Sequence, residues 1–426
     1  MSYSGYVVKV KELRKHSNAD RLQVLTVFGN DVIVGLNVEV GDVGIYFPTD
    51  GKLNYDFAKK NNLLREQDAE GNQVGGYLDP DKRHVSSIRL RGEKSDGLYM
   101  PISSLNNFCD VSKLNEGDKI DTINGKQVCE KYVPRGEVKN SNPTGKQTKK
   151  KEKESYPFFE QHVDTQQLAY NTNSFKEGDL CYITLKLHGT SQRTSHAIKK
   201  EVNPLHKFLR LFGVKKHKKD WEYVTGTRRV MLKDYNGGYY GGNAFRKQWH
   251  DFFVDKLPKG VSVYYEVVGY TGTGQLIMPE VNNKKTKDKE FIKKYGKTTK
   301  YTYGLEEGQS DIYVYRMTMT NEDGEVVEIP WETVKLYCEK MGVKYTPELD
   351  KFFFTTVEDM MERVGEYEDG IDPIGKTHIR EGVVVRVENH ERFTAYKQKN
   401  FSFKVLEGIV KQDDVLDMEE ENSLEV

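Results

Sequence analysis

Five separated runs in the last two-thirds of the chain constrain its fold more than any other feature: 181-CYITLKL-187, 261-VSVYYEVVGY-270, 311-DIYVYRMTMT-320, 381-EGVVVRVE-388 and 393-FTAYKQK-399. Each is short and rich in β-branched and aromatic residues, which predicts strands. Between them, 331-WETVKLYCEKMG-342 and 356-TVEDMMERVGEYED-369 carry the spacing of amphipathic helices. Strands and helices over so long an interval predict a domain that packs both.

The N-terminal third reads differently. VVKV, LQVLTVF and DVIVGLNVEVGDVGIYF follow one another within residues 5–48, punctuated by Gly and Asp at turn positions, and GDKIDTINGKQV continues the pattern. A mainly β domain over 1–131, shaped as a small barrel, is expected, with a short helix inside 54–64. Residues 132–155 lack apolar periodicity and carry a Lys-rich run, which predicts an exposed basic linker. A larger domain is expected over 156–410, followed by an acidic tail over 411–426.

At 426 residues the chain is long enough for two domains, and 36% hydrophobic residues suffice for real cores. Lys+Arg and Asp+Glu both number 65, so any footprint for nucleic acid must be local, as in the basic stretches 205–219 and 283–300. These stretches read equally as solvated helix faces. The four cysteines lie far apart with no CxxC spacing, which argues against structural zinc and a disulfide framework. The polar N-terminus lacks signal-peptide character and no apolar window has membrane-spanning length, so a cytoplasmic protein with no membrane partner is expected.

Chemistry gathers on the strands. Alternation in 183-ITLKLHG-189 puts Thr184, Lys186 and His188 on one face, with Gly189 permitting a tight turn. Lys186 alone reads first as an exposed strand lysine, with a nucleophile as the second reading. Glu266 and Glu381 are carboxylates beside apolar runs, where a charge needs a partner or a metal. Lys397 and Lys399, two residues apart, share a strand face and are favourable together when an anion sits between them. Singly, each fits an ordinary polar sheet face. Together they supply a lysine nucleophile, two carboxylates for a divalent ion and cations for phosphates, the mix that phosphoryl or nucleotidyl transfer needs. No GxxxxGK[ST] or GxGxxG motif precedes a helix, so a P-loop is not supported.

In this order the residues resemble the covalent nucleotidyltransferase superfamily of ATP-dependent ligases and capping enzymes, and its RNA ligase branch more closely. Lys186-Leu187-His188-Gly189 resembles the nucleophile motif, with His188 where DNA ligases usually carry Asp. Gly226 to Val230 resembles the arginine-bearing motif, Tyr264 to Gly269 the third motif and Tyr313-Val314-Tyr315 the segment lending an aromatic to adenine. Glu381 to Arg386 and Tyr396 to Asn400 resemble the fourth and fifth motifs, and Glu160 to Thr165 the lead-in to the adenine pocket. The resemblance implies an α+β, ligase-type fold of antiparallel sheets with flanking helices, using ATP and Mg2+ or Mn2+. It implies that Lys186 forms a lysyl-AMP, that Glu266 and Glu381 hold nucleotide and metal, and that Lys397 and Lys399 bind the α-phosphate. It further implies nucleotide contacts from His188, Gly189, Asp164, Thr165, either Arg228 or Arg229, and either Tyr313 or Tyr315.

The segment 16-HSNADRL-22 resembles OB-type domains of tRNA-binding proteins, and an OB-like domain placed first resembles the Deinococcus-type RNA ligases. The implied substrate is RNA with 3′-hydroxyl and 5′-phosphate ends, as a nicked duplex or a tRNA-like molecule. A capping guanylyltransferase, a DNA ligase and an inactive nucleic-acid-binding protein are the alternatives.

Overall fold

The structure, a computed structural model, describes residues 3–134, 156–200, 219–232, 235–236, 240, 242–388 and 390–412. Most of the expected linker, residues 205–218 of the basic stretch 205–219, positions within the Gly-rich run 235-YNGGYYGGNAF-245 and the tail from 413 lie outside the described residues. Among the described residues no helix is long and apolar enough to cross a membrane.

Two compact units emerge. The first takes in the residues before 135 together with Val281–Lys297 and the helix Phe401–Gln412. Its strand Asn30–Gly35 alternates buried Val32 and Val34 with more accessible neighbours, because one face covers a core while the other meets solvent. A four-stranded antiparallel sheet runs Leu98–Pro101, Val43–Phe47, Gly5–Lys9, Lys119–Ile120. Val7, Ile45, Phe47, Leu53 and Phe57 are fully buried in its core. The expected helix in 54–64 is Tyr55–Lys60, started by the Asn54 side chain, which accepts from the Asp56 N–H.

The segment 16–22 forms the turn between Leu13–Lys15 and Leu22–Val27. Its His16 is buried at 1% exposure, accepts from the Asn18 N–H at Nδ1 and donates from Nε2 to the Leu90 carbonyl. That histidine therefore acts as a structural pin.

The sequence reading placed 281–297 and 401–410 in the larger domain, whereas both group with the first unit. The cause is long-range pairing that no local pattern reveals. Lys404 pairs with Asp96, and Lys411, only 1% exposed, pairs with Asp50 at 2.8 Å. Arg89 pairs with Asp288 at 2.9 Å.

The second unit, residues 156–280 and Thr298–Asn400, is α+β with antiparallel sheets and flanking helices. A five-stranded sheet runs Gln166–Gln167, Thr394–Lys399, Gly382–Val387, Leu180–Lys186, Glu348–Phe353, and only the Gln166–Gln167 pairing is parallel. Ile183, Val383 and Val385 on one face pack with Met360 and Val364 of the helix Val357–Glu368. Those helix residues are four apart, the spacing that puts them on one stripe. Thr356 caps the helix by accepting from the Asp359 N–H. A six-stranded sheet contains Lys219–Gly226, Thr190–Lys200, Val261–Gly269, Ser310–Thr320 and Val326–Glu328 in that order, with Lys344–Tyr345 parallel to Ser310–Thr320.

Candidate active site

Register assembles the first wall of the site. Lys186 lies opposite Gly382, and Gly382 opposite Lys399; in the next row Thr184 faces Val384 and Val384 faces Lys397. Residues directly opposite one another share a sheet face, so Lys186, Lys397 and Lys399 stand on the side away from the Val357–Glu368 helix. Lys186 Nζ lies 2.8 Å from Glu381 Oε1, and Lys399 Nζ lies 3.5 Å from the same oxygen. Glu381 is 3% exposed, a buried charge that these two cations compensate. Gly382 has φ +143°, and a Cβ there would stand 2.1 Å from the Gln398 carbonyl, so glycine is required beside this carboxylate.

The strand ends at Lys186, so His188 is not on the strand face that alternation assigned to it. It belongs to the connection into Thr190–Lys200, where its Nδ1 lies 3.8 Å from Glu381 Oε2. Gly189 packs against the neighbouring strand so closely that a Cβ would stand 2.3 Å from the Val267 carbonyl oxygen and 3.0 Å from Glu266 Cγ.

Tyr303, absent from the sequence reading, fixes this connection. Its hydroxyl accepts from the His188 N–H at 2.6 Å and donates to the His188 carbonyl at 3.2 Å, and burial raises its pKa well above the usual phenol value. Tyr303→Phe keeps the ring and leaves both backbone groups unsatisfied. A loss of about 1–3 kcal/mol in thermal unfolding is expected, with faster hydrogen exchange at the His188 amide. An unchanged exchange rate would contradict the clamp.

Behind Tyr303, the ring of His378 stacks edge-on at 4.5 Å. Burial lowers His378 to about 4 and raises Asp372, fully buried, to about 7. The raised Asp372 gives stability that is lost as pH climbs toward 7; the depressed His378 gives stability that is lost as pH falls from 6.5 toward 4. The two slopes oppose each other between those values. Asp372→Asn removes one of them, so stability is expected to rise by roughly 3 kcal/mol from pH 4 to 6.5, read from urea midpoints. A profile parallel to that of the native chain would contradict this account.

The second wall comes from the six-stranded sheet. Glu266, 7% exposed, accepts from Ser191 Oγ at 3.4 Å; Ser191 Oγ lies 3.1 Å from the Tyr315 hydroxyl, which lies 2.9 Å from His162 Nδ1. His162 Nε2 is 3.8 Å from Asp164, and Arg228 Nε donates to Asp164 Oδ1 at 2.6 Å while Arg229 reaches Oδ2 at 3.4 Å. Burial works against the Asp164 charge, but Arg228 and its neighbours outweigh it and hold the carboxyl below its usual range.

The two walls line an open pocket whose lining includes Lys186, Glu266, Lys397, Thr165, Arg228 and Tyr315. Arg229 and Tyr313 are not among the lining residues; Tyr313 instead lies by Lys344, whose ammonium is 5.6 Å from its ring centroid. Arg386 and Phe393 also line the pocket, neither singled out in the sequence reading. Arg386 was legible, since it continues the alternation through Gly382 and Val384; Phe393 gave no signal beyond being aromatic.

Among the described residues no group of three or more His, Cys, Asp or Glu could hold a metal ion. Among the described residues the buried Oε2 of Glu381 has no hydrogen-bond partner. Two carboxylates without a cage fit an ion such as Mg2+, which keeps most of its ligands from phosphates and water.

No family model and no curated protein sequence matches the chain. Solved structures do. A Naegleria gruberi RNA ligase, a lysine-to-alanine mutant with ATP and Mn, is 16% identical over 94% of this chain and 98% of that one, with a TM-score of 0.56. A lysine-to-methionine mutant of the same ligase, with AMP and Mn, also aligns at 0.56. With PPi the ligase aligns at 0.54 and 16% identity over 94% of this chain and 97% of its own. The chain has the fold of an RNA ligase.

Proposed function

We propose that the protein is an ATP-dependent RNA ligase, joining a 3′-hydroxyl to a 5′-phosphate through a lysyl-AMP intermediate. The observation that carries this reading is the Lys186–Glu381 ion pair at 2.8 Å, with Lys399 on the same carboxylate, beside the open pocket that Lys186 lines. The similar Naegleria gruberi structures with ATP, AMP, PPi and Mn support the choice of ATP and a divalent ion.

Lys186 Nζ forms a bond to the α-phosphorus of ATP while the bond to the bridging oxygen breaks and pyrophosphate leaves. Glu381 Oε1 is within reach to hold the ammonium and to take its proton. Lys397 and Lys399 meet the charge growing on the α-phosphate oxygens. Tyr315, Thr165 and Arg228 take the nucleoside side of the pocket, with Asp164, which also pairs with Arg229, holding Arg228 in place. His188 and Gly189 keep the loop after the nucleophile against the strand of Glu266. Glu266 and Glu381 would hold Mg2+ or Mn2+ with phosphate and water ligands, and that ion supplies neutralisation of the triphosphate.

An oxygen of the RNA 5′-phosphate then displaces Lys186 from the AMP, and the 3′-hydroxyl attacks that activated phosphate and expels AMP. The first unit serves as an OB-like RNA-binding domain. In support, Lys284, Lys287, Lys289 and Lys293 are exposed in the segment that groups with it, placed to follow a phosphate backbone. RNA repair at nicks or tRNA-like ends is the corresponding role.

Nicked duplexes with RNA or DNA at the 3′-hydroxyl side, offered with labelled ATP or GTP, test this reading. Sealing of RNA 3′ ends with ATP is expected. Covalent labelling from GTP would favour a capping guanylyltransferase, equal sealing of DNA ends a DNA ligase, and neither an inactive binding protein.

A further inference from the structure

We infer that Phe393 is a base-stacking residue that sets affinity for the nucleotide. The inference rests on the nucleotide-transfer reading above but concerns a residue outside every motif that led to it.

Phe393 sits just before the strand Thr394–Lys399, half-buried, and lines the pocket. The rows of the five-stranded sheet place it. The Lys186 row is followed by the Thr184–Val384–Lys397 row and then by Tyr182–Arg386–Ala395. Four residues at about 3.3 Å each put the third row roughly 13 Å from the nucleophile row. Phe393, two residues before Ala395, lies one row further along the strand and still lines the pocket that Lys186 lines.

Its ring is unusually well held for a residue outside regular structure. Arg316 Cζ lies 5.0 Å from its centroid and Arg386 Cζ 5.7 Å. Both guanidiniums are themselves fixed and nearly buried, at 4% and 6% exposure. Arg316 pairs with Glu328 and lies over Tyr264; Arg386 donates to Glu388 at 2.7 Å, lies over Trp331 and donates to the Tyr315 carbonyl at 3.1 Å. Two buried cations thus pin one aromatic ring beside the strand of Tyr315. A ring so framed loses little freedom when a planar base stacks on it, which is the condition for stacking to contribute fully to affinity.

The test is single-turnover formation of the covalent adduct by the full chain across a range of ATP concentrations. Phe393→Ala is expected to raise the half-saturating ATP concentration about 10-fold, with the maximal rate within about 2-fold, since stacking on an aromatic is typically lost at that scale. Phe393→Tyr should restore half-saturation to within about 2-fold. The reverse reaction gives an independent readout: pyrophosphate has no base, so its half-saturation should be unchanged in Phe393→Ala. If the native chain forms the adduct but Phe393→Ala saturates at the same ATP concentration, or loses maximal rate alone, the inference is overturned and the nucleotide reading stands. No adduct from any nucleotide in the native chain would overturn both.

Discussion

Lys186→Ala is expected to abolish covalent labelling from ATP and, with it, joining from unadenylylated RNA, a loss of at least about 10^3-fold. No other group in the account supplies the attacking lone pair, so the change removes a bond-forming atom and not one contribution among several. The substitution also strips Glu381, 3% exposed, of its partner at 2.8 Å. Removing one member of a buried pair typically costs about 3–5 kcal/mol. Lys399, 3.5 Å from the same oxygen, remains to compensate, so the expected stability loss is smaller, about 1–3 kcal/mol. A folded Lys186→Ala protein that still labels would remove the lysine from the chemistry.

Gly189→Ala is the second large effect. The added methyl would lie 2.3 Å from the Val267 carbonyl oxygen and 2.9 Å from Val268 Cγ1. The first of these is backbone in the middle of a sheet and does not yield, so the connection itself must move. Overpacking of this kind costs about 1–3 kcal/mol. The larger consequence is positional: the shift acts between Lys186 and the strand of Glu266, and a misplacement near 1 Å costs about 10^2-fold in rate. Adduct formation in Gly189→Ala should therefore fall by about that factor in a protein that remains folded by circular dichroism. An adduct rate within about 3-fold of the native chain would show that the close approach is unimportant to the site.

The candidate site was legible where period-two alternation governed it. Lys186, Lys397 and Lys399 each sit at an alternating position, and strand pairing brought together three residues that alternation had put on sheet faces. Glu381 was recognisable as a charge beside an apolar triplet. The choice between Tyr313 and Tyr315 was not legible, and the reason is a register shift. Tyr264 pairs with Arg316 while Tyr265 pairs with Val314, so Tyr315 is the extra residue of a bulge. A bulge re-aims its side chain and cannot be seen in the spacing of one strand. Arg228 and Arg229, adjacent in sequence, are separated by the pocket lining, which includes the first alone.

What remained hidden depended on contacts between distant segments. Tyr303 reaches His188 across 115 positions, and Lys404 reaches Asp96 across 308. Neither leaves a local pattern, and the second places the helix Phe401–Gln412 with the first unit although it directly follows the strand of Lys399. The main strands of the second unit followed from periodicity, because these strands are long enough to show their pattern, whereas the α+β class came with the resemblance.

The most direct test of the central claim locates the bond. After incubation with ATP and Mg2+ or Mn2+, peptide mapping by mass spectrometry should find one AMP on the peptide containing Lys186. A phosphorus–nitrogen bond should make that adduct labile in acid and stable in alkali. AMP on a different residue, an acid-stable adduct, or no adduct in a folded protein would contradict the account.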